Sequence, residues 1–172
     1  MINTFKADPK ESCAHFNLKN MVIPDVEGYF SSLSGSFTFD PDNLSVCRIE
    51  AYIDVSSVDS GSDSRDELLK GEEFFNAQKY PLIEFHSKEF RIHDEDVLKV
   101  RGDLTVKDIT KEVVLNVERP DGLKKKRISI AASTLVNRDE FKLDLGSVLE
   151  IGEALIGENI QMTMEIELIK QS

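Results

Sequence analysis

Apolar and polar residues alternate with a period of two along most of this chain. The cleanest run sets Cys47, Ile49, Ala51, Ile53 and Val55 against Arg48, Glu50, Tyr52 and Asp54, which a β-strand resolves into one dry and one wet face. Ser12-Ala14-Phe16-Leu18 alternates against Cys13-His15-Asn17-Lys19 in the same way. Further runs follow: Val26 to Asp40, with Gly28, Phe30, Gly35, Phe37 and Phe39; Leu82 to Ile92; Leu98 to Val106; Val113 to Val117; Ile128 to Val136; and Ile160 to Leu168. Turn residues separate them at Asp8-Pro9, Ile23-Pro24-Asp25, Asp94-Glu95-Asp96, Lys107-Asp108 and Pro120-Asp121-Gly122. Asn3 to Lys6 is a short extended piece, and the Asp8-Pro9 turn predicts that it opens the fold as a hairpin. Two slips of parity predict β-bulges. One is at Ser31-Ser32; the other is at Lys88-Glu89, since Ile83 and Phe85 are odd while Phe90 and Ile92 are even.

The period changes only between Val58 and Pro81. Val58-Asp59-Ser60-Gly61 ends a strand, Ser64 with Glu67 reads as a capping box, Leu68 and Leu69 form an apolar edge, and Gly71 is placed for a left-handed residue. The helix is therefore short. Phe74 and Phe75 follow it and cap something apolar, before Tyr80-Pro81 restarts an extended segment. About eight long strands with tight turns and one short helix predict an all-β, antiparallel, eight-stranded sheet that removes its edges by closing into a barrel. Ala14, Gly28, Ala51, Gly102 and Ala132 are too small to fill it beside Phe16, Phe37, Phe39, Ile53, Phe85 and Met162. An apolar tunnel follows, with a plugged, solid core as the alternative. Met162 and Met164 suit an irregular guest or an ordinary core equally.

Composition narrows the functions. At 172 residues with 40% apolar content, the chain is long enough for one domain spanning 1–172 with a sizeable interior, and neither repeat nor linker interrupts it. Its net charge of −11 argues against nucleic acid and against adsorption to anionic membranes. No stretch approaches the roughly 18 apolar residues of a stable membrane insertion. The start MINTFKADPKESCAHFNLKN lacks a secretory pattern, so the expected location is cytoplasmic, or periplasmic if a leader has been trimmed. Cys13 and Cys47 are read as reduced thiols. No metal site is expected: His15, His86 and His93 are separated by long strands, with His15 and His86 on wet faces. Nor does any Gly-x-Ser-x-Gly, His-Glu-x-x-His or Gly-x-x-x-x-Gly-Lys-Ser/Thr pattern occur, so no cofactor or catalytic residue is expected. Lys124-Lys125-Lys126-Arg127 is the basic run, read as a solvated hairpin tip.

One stretch adds a resemblance. Ser57, Asp59, Gly61, Arg65-Asp66, Leu69, Phe74-Phe75, Lys79-Tyr80-Pro81, Ile83, Phe85 and Ser87 resemble the characteristic run of the YceI-like family of polyisoprenoid-binding proteins. Gly35-Ser36-Phe37, Gly102-Asp103-Leu104-Thr105, Asp108-Ile109-Thr110-Lys111 and Arg138-Asp139-Glu140-Phe141 continue it in the family's order over nearly the whole chain. The resemblance implies a lipocalin-like barrel, a homodimer, and non-catalytic binding, transport or storage of a long-chain isoprenoid (an isoprenoid quinone or prenyl diphosphate) or a similar lipid. The alternatives are a small enzyme acting on a lipid-like substrate and a solid-core interaction or stress-response protein. Candidate ligand-binding residues are Phe16, Phe37, Phe39, Ile53, Arg65, Phe74, Phe75, Phe85, Leu104, Arg138, Phe141, Met162 and Met164. Arg65 and Arg138 are assigned to the mouth, either holding a head group through planar donors or pairing with acidic neighbours inside the chain. Three positions depart from the family: Phe5 replaces Trp or Tyr, Asn20 replaces His, and Lys142 stands where Gly usually follows the phenylalanine.

Overall fold

A computed structural model describes residues 1–22, 25–144 and 156–172; Ile23-Pro24 and the side chain of Asn20 lie outside the described residues. Alternating segments become strands wherever one face can be buried: β1 (Asn3–Ala7), β2 (Cys13–Asn20), β3 (Val26–Phe30), β4 (Leu33–Phe39), β5 (Arg48–Asp54), β6 (Val58–Asp59), then helix α1 (Asp63–Lys70), followed by β7 (Leu82–Ile92), β8 (Val97–Val106), β9 (Ile109–Glu118), β10 (Arg127–Asn137) and β11 (Ile156–Lys170). Eight of them close an antiparallel barrel in the order β1-β4-β5-β7-β8-β9-β10-β11, with β11 returning to β1. The eight barrel strands are thereby left without an edge strand among them. A ribbon of β2, β3 and β6 continues from β11 beyond the point where β1 leaves it.

The opening hairpin is not formed. β1 and β2 do not pair with each other but lie end to end along β11, with Ala7 opposite Leu168 and Cys13 opposite Glu165. The Asp8-Pro9 turn jogs the chain without reversing it. The buried Ser12 spans the break, its hydroxyl accepting from Glu167 N at 3.0 Å, while Asp8 N donates to Glu167 O at 2.8 Å. The reason is length: β11 has 15 residues, enough edge for both short strands. The first hairpin is instead β2 with β3, where Phe16 faces Gly28.

One parity slip is a bulge and the other is a break between two strands. The β7–β8 register shifts between Ser87 and Glu89, and the freed Ser87 hydroxyl accepts from Ile49 N at 2.8 Å. Between Phe30 and Leu33 the chain leaves β2 and joins β1 and β5, and Ser32 N donates to Ser57 Oγ at 3.2 Å.

Helix α1 starts earlier than the Ser64–Glu67 capping box predicts. Ser62 is the N-cap, accepting from Arg65 N at 3.3 Å. The half-buried loop before it is held by Asp66, which accepts from Ser60 N at 2.8 Å and Ser60 Oγ at 2.6 Å. Only Leu69 of the leucine pair is buried; Leu68 is exposed. Gly71 is not left-handed, with φ −71° and ψ 170°. The positive φ falls on Asn76 at 50°, where the chain doubles back and Asn76 N and Ala77 N reach Gly71 O and Lys70 O. That reversal tucks Phe74 and Phe75 under the helix.

Candidate functional site

The inward faces of the barrel strands, together with the helix and the loop after it, line an apolar cavity of about 140 Å³. Leu69, Phe74 and Phe75 close one end. Phe74 and Phe75 meet edge to face at 4.6 Å, and Phe30 packs on Phe75 at 5.7 Å. At the opposite end Phe37 stacks with Phe90 at 6.3 Å and meets Phe39 at a tilt at 5.7 Å. Between these two aromatic groups the lining is almost wholly apolar, running from Ala51, Ile53 and Phe85 around to Ile130, Met162 and Met164.

Two glycines make room for the rings. A Cβ on Gly28 would lie 2.5 Å from the Phe16 ring, and one on Gly102 would lie 2.6 Å from the Phe85 ring. Phe16 and Phe85 therefore lie flat across the neighbouring strand instead of standing into the cavity. The buried Thr134 hydroxyl on the lining donates to Val114 O at 2.9 Å. Glu50 borders the cavity, but its carboxylate lies 3.7 Å from His86 Nδ1 on the outer wall.

Of the candidate residues, Phe16, Phe37, Ile53, Phe74, Phe75, Phe85, Leu104, Met162 and Met164 line the cavity. Phe39 does not; it is buried behind Phe37. Arg65 lies on α1 away from the lining, and Phe141 is fully buried outside it. Arg138 is 5% exposed, its Nε donating to Gly157 O at 2.8 Å and its guanidinium 3.6 Å from Asp139. These contacts tie the segment after β10 to the start of β11. Leu69, Val106, Ile130 and Leu143 also line the cavity and are not among the candidate ligand-binding residues. Parity marks Val106 and Ile130 as inward, but Leu143 sits in irregular chain with no period to read.

One seam of the wall is thin. β9 and β10 pair only at Ala132–Val117 and Ser133–Asn116, whereas β8 and β9 pair along their whole lengths. Outside this seam lies a groove of about 460 Å³, and Val113 and Thr134 border both the groove and the inner cavity. Val114 and Leu135 flank it, 48% and 57% exposed.

Residues 5–168 match the model of a family described as the YceI-like domain. A UPF0312 protein of Photorhabdus laumondii is 31% identical over 147 residues, covering 82% of this chain and 76% of that relative. Among solved structures, Burkholderia cenocepacia BcnA superposes with a TM-score of 0.82 at 22% identity, covering 94% of this chain and 98% of that one. A polyisoprenoid binding domain from Saccharophagus degradans, implicated in plant cell wall breakdown, superposes with a TM-score of 0.73 at 15% identity, covering 97% and 98%.

Proposed function

The chain belongs to the YceI-like family, and from that premise we propose that its barrel binds the hydrocarbon part of a long-chain isoprenoid or similar amphiphilic lipid, non-covalently, as a carrier or store. The observation that supports this reading is the apolar cavity inside the barrel with an aromatic group at each end. Each CH₂ moved from water into such a space contributes about 0.8 kcal/mol, so chain length sets affinity. The described lining is almost wholly apolar and its Thr134 hydroxyl is directed to Val114 O, which favours binding over catalysis.

Size sharpens the reading. A cavity of about 150 Å³ in another protein holds one benzene. The 140 Å³ found here therefore suits about one five-carbon unit as it stands. A longer chain enters by spreading the wall, with Met162 and Met164 adapting to it.

The test is organic extraction and mass spectrometry of protein purified from its own host, beside an Ala132→Phe variant that fills the lumen. The native protein should release a prenyl lipid or comparable long-chain lipid that the filled variant lacks. A native protein that releases none, and binds no prenyl alcohol of any length when titrated, rejects the proposal.

A further inference from the structure

We propose that Cys13, His15 and Glu165 form a binding site for a thiophilic divalent transition metal, zinc(II) being the type case, on the outer wall of the barrel. Cys13 and His15 are two apart on β2, so both side chains leave the same face, and Glu165 of β11 is the register partner of Cys13. Rigid strands thus bring a thiol, an imidazole and a carboxylate together without any loop. Their donor atoms all lie within 4.8 Å of one another. Cys13 Sγ is 3.2 Å from His15 Nε2 and 3.9 Å from Glu165 Oε2, and His15 Nε2 is 3.6 Å from Glu165 Oε2.

Those separations match a coordination sphere. Zinc bonds of about 2.3 Å to sulfur and about 2.0–2.2 Å to nitrogen and oxygen, at tetrahedral angles, set donors about 3.3–3.6 Å apart. No donor pair here needs to move more than about 0.4 Å to meet that geometry. The mixed S, N, O set suits zinc better than calcium or magnesium, which take oxygen ligands. Three protein donors leave a fourth position for solvent.

The surroundings support the site. Tyr29 of β3 lies opposite His15, its ring 5.8 Å away, and its hydroxyl donates to Asp59 at 3.2 Å, which fixes the surface against which the imidazole rests. The Glu165 carboxylate stands beside both the thiol and the imidazole, so a cation at this spot has an anionic ligand within reach. Binding exchanges the thiol proton for the metal, after which thiolate and carboxylate together balance its charge. A net charge of −11 concentrates cations near the protein. The site uses the wet face of β2 and β11, so it stands whether or not the lumen takes lipid.

Cobalt(II) titration of the reduced full-length protein tests it. The expected result is a near-ultraviolet thiolate-to-cobalt charge-transfer band with visible bands of tetrahedral intensity, both abolished by stoichiometric zinc. Cys13→Ser should remove the charge-transfer band while leaving the thermal transition in place, which also separates Cys13 from the buried Cys47. His15→Gln and Glu165→Gln should each weaken zinc binding at least about tenfold by calorimetry. Absence of the band in the native protein, or a zinc affinity unchanged in the folded Cys13→Ser variant, overturns the proposal.

Discussion

Lys142 sits at φ 52°, in the left-handed region that a side chain enters at about 1–2 kcal/mol. The family pattern places glycine here, and the backbone explains why: the chain turns sharply after Phe141, with Lys142 N bonded to Asp139 O and Leu143 N to Arg138 O. Lys142→Gly should therefore gain about 0.5–1 kcal/mol, strain relief less the flexibility glycine adds to the unfolded chain, visible as a few degrees in the thermal midpoint. Lys142→Ala keeps the Cβ and should gain nothing; equal gains from both would exclude backbone strain as the cause. Arg138 is the second residue whose role the structure defines. Its guanidinium is buried and turned to the carbonyls of Gly157 and Ile156, so Arg138→Ala should lose about 2–3 kcal/mol in urea denaturation. A variant of native stability with weakened lipid binding would restore the head-group role. The Arg-x-x-Phe pattern was readable in the sequence. The direction of the arginine was not, because the two carbonyls it reaches belong to a strand that begins 18 residues later.

At the scale of elements, strands were legible and partners were not. Period-two runs marked the strands that wall the cavity, and even the Ser87–Glu89 bulge, because burial of one face is a local demand on the chain. Which edge each strand takes depends on the lengths of distant strands. Hence β1 and β2 share β11 rather than pairing with each other. The capping box failed for a similar reason, since Ser62 is better placed than Ser64 once Asp66 is turned back to Ser60. Nothing in the alternation of β9 and β10 foretold their thin seam either. Ala131 N points towards β9, where it donates to the Glu118 carboxylate, so by alternation the Ser133 and Leu135 amides point the same way. Ser133 is on the ladder, whereas beyond it the Thr134 hydroxyl takes Val114 O. Native-state hydrogen exchange should thus find the Leu135 amide at least about tenfold faster than that of Ser133. Equal protection would show a continuous wall. A Val114→Cys, Leu135→Cys pair carries this to function: oxidised, it should slow uptake of a prenyl alcohol, and reduction should restore the native rate.

The whole molecule joins a closed wall to a strongly negative field. Among the described residues no helix is long and apolar enough to cross a membrane, and the exposed basic tip at Lys124 to Arg127 stands against a net charge of −11. Even that tip is partly neutralised, since Arg127 lies 3.2 Å from Asp8 and 3.7 Å from Glu167. If the barrel collects its guest from a membrane, the general field opposes approach to anionic lipid, while a patch of three lysines attracts it over a shorter range. Salt decides between them, because the screening length falls from about 30 Å at 0.01 M to about 8 Å at 0.15 M. Repulsion by the whole protein extends furthest and is screened first. The rate of prenyl-lipid transfer from anionic vesicles should therefore rise as salt is added over that range, while transfer from neutral vesicles stays flat. A rate that falls with salt on anionic vesicles, and loses that dependence in a Lys124→Ser, Lys125→Ser, Lys126→Ser variant, would instead make the basic tip the docking point.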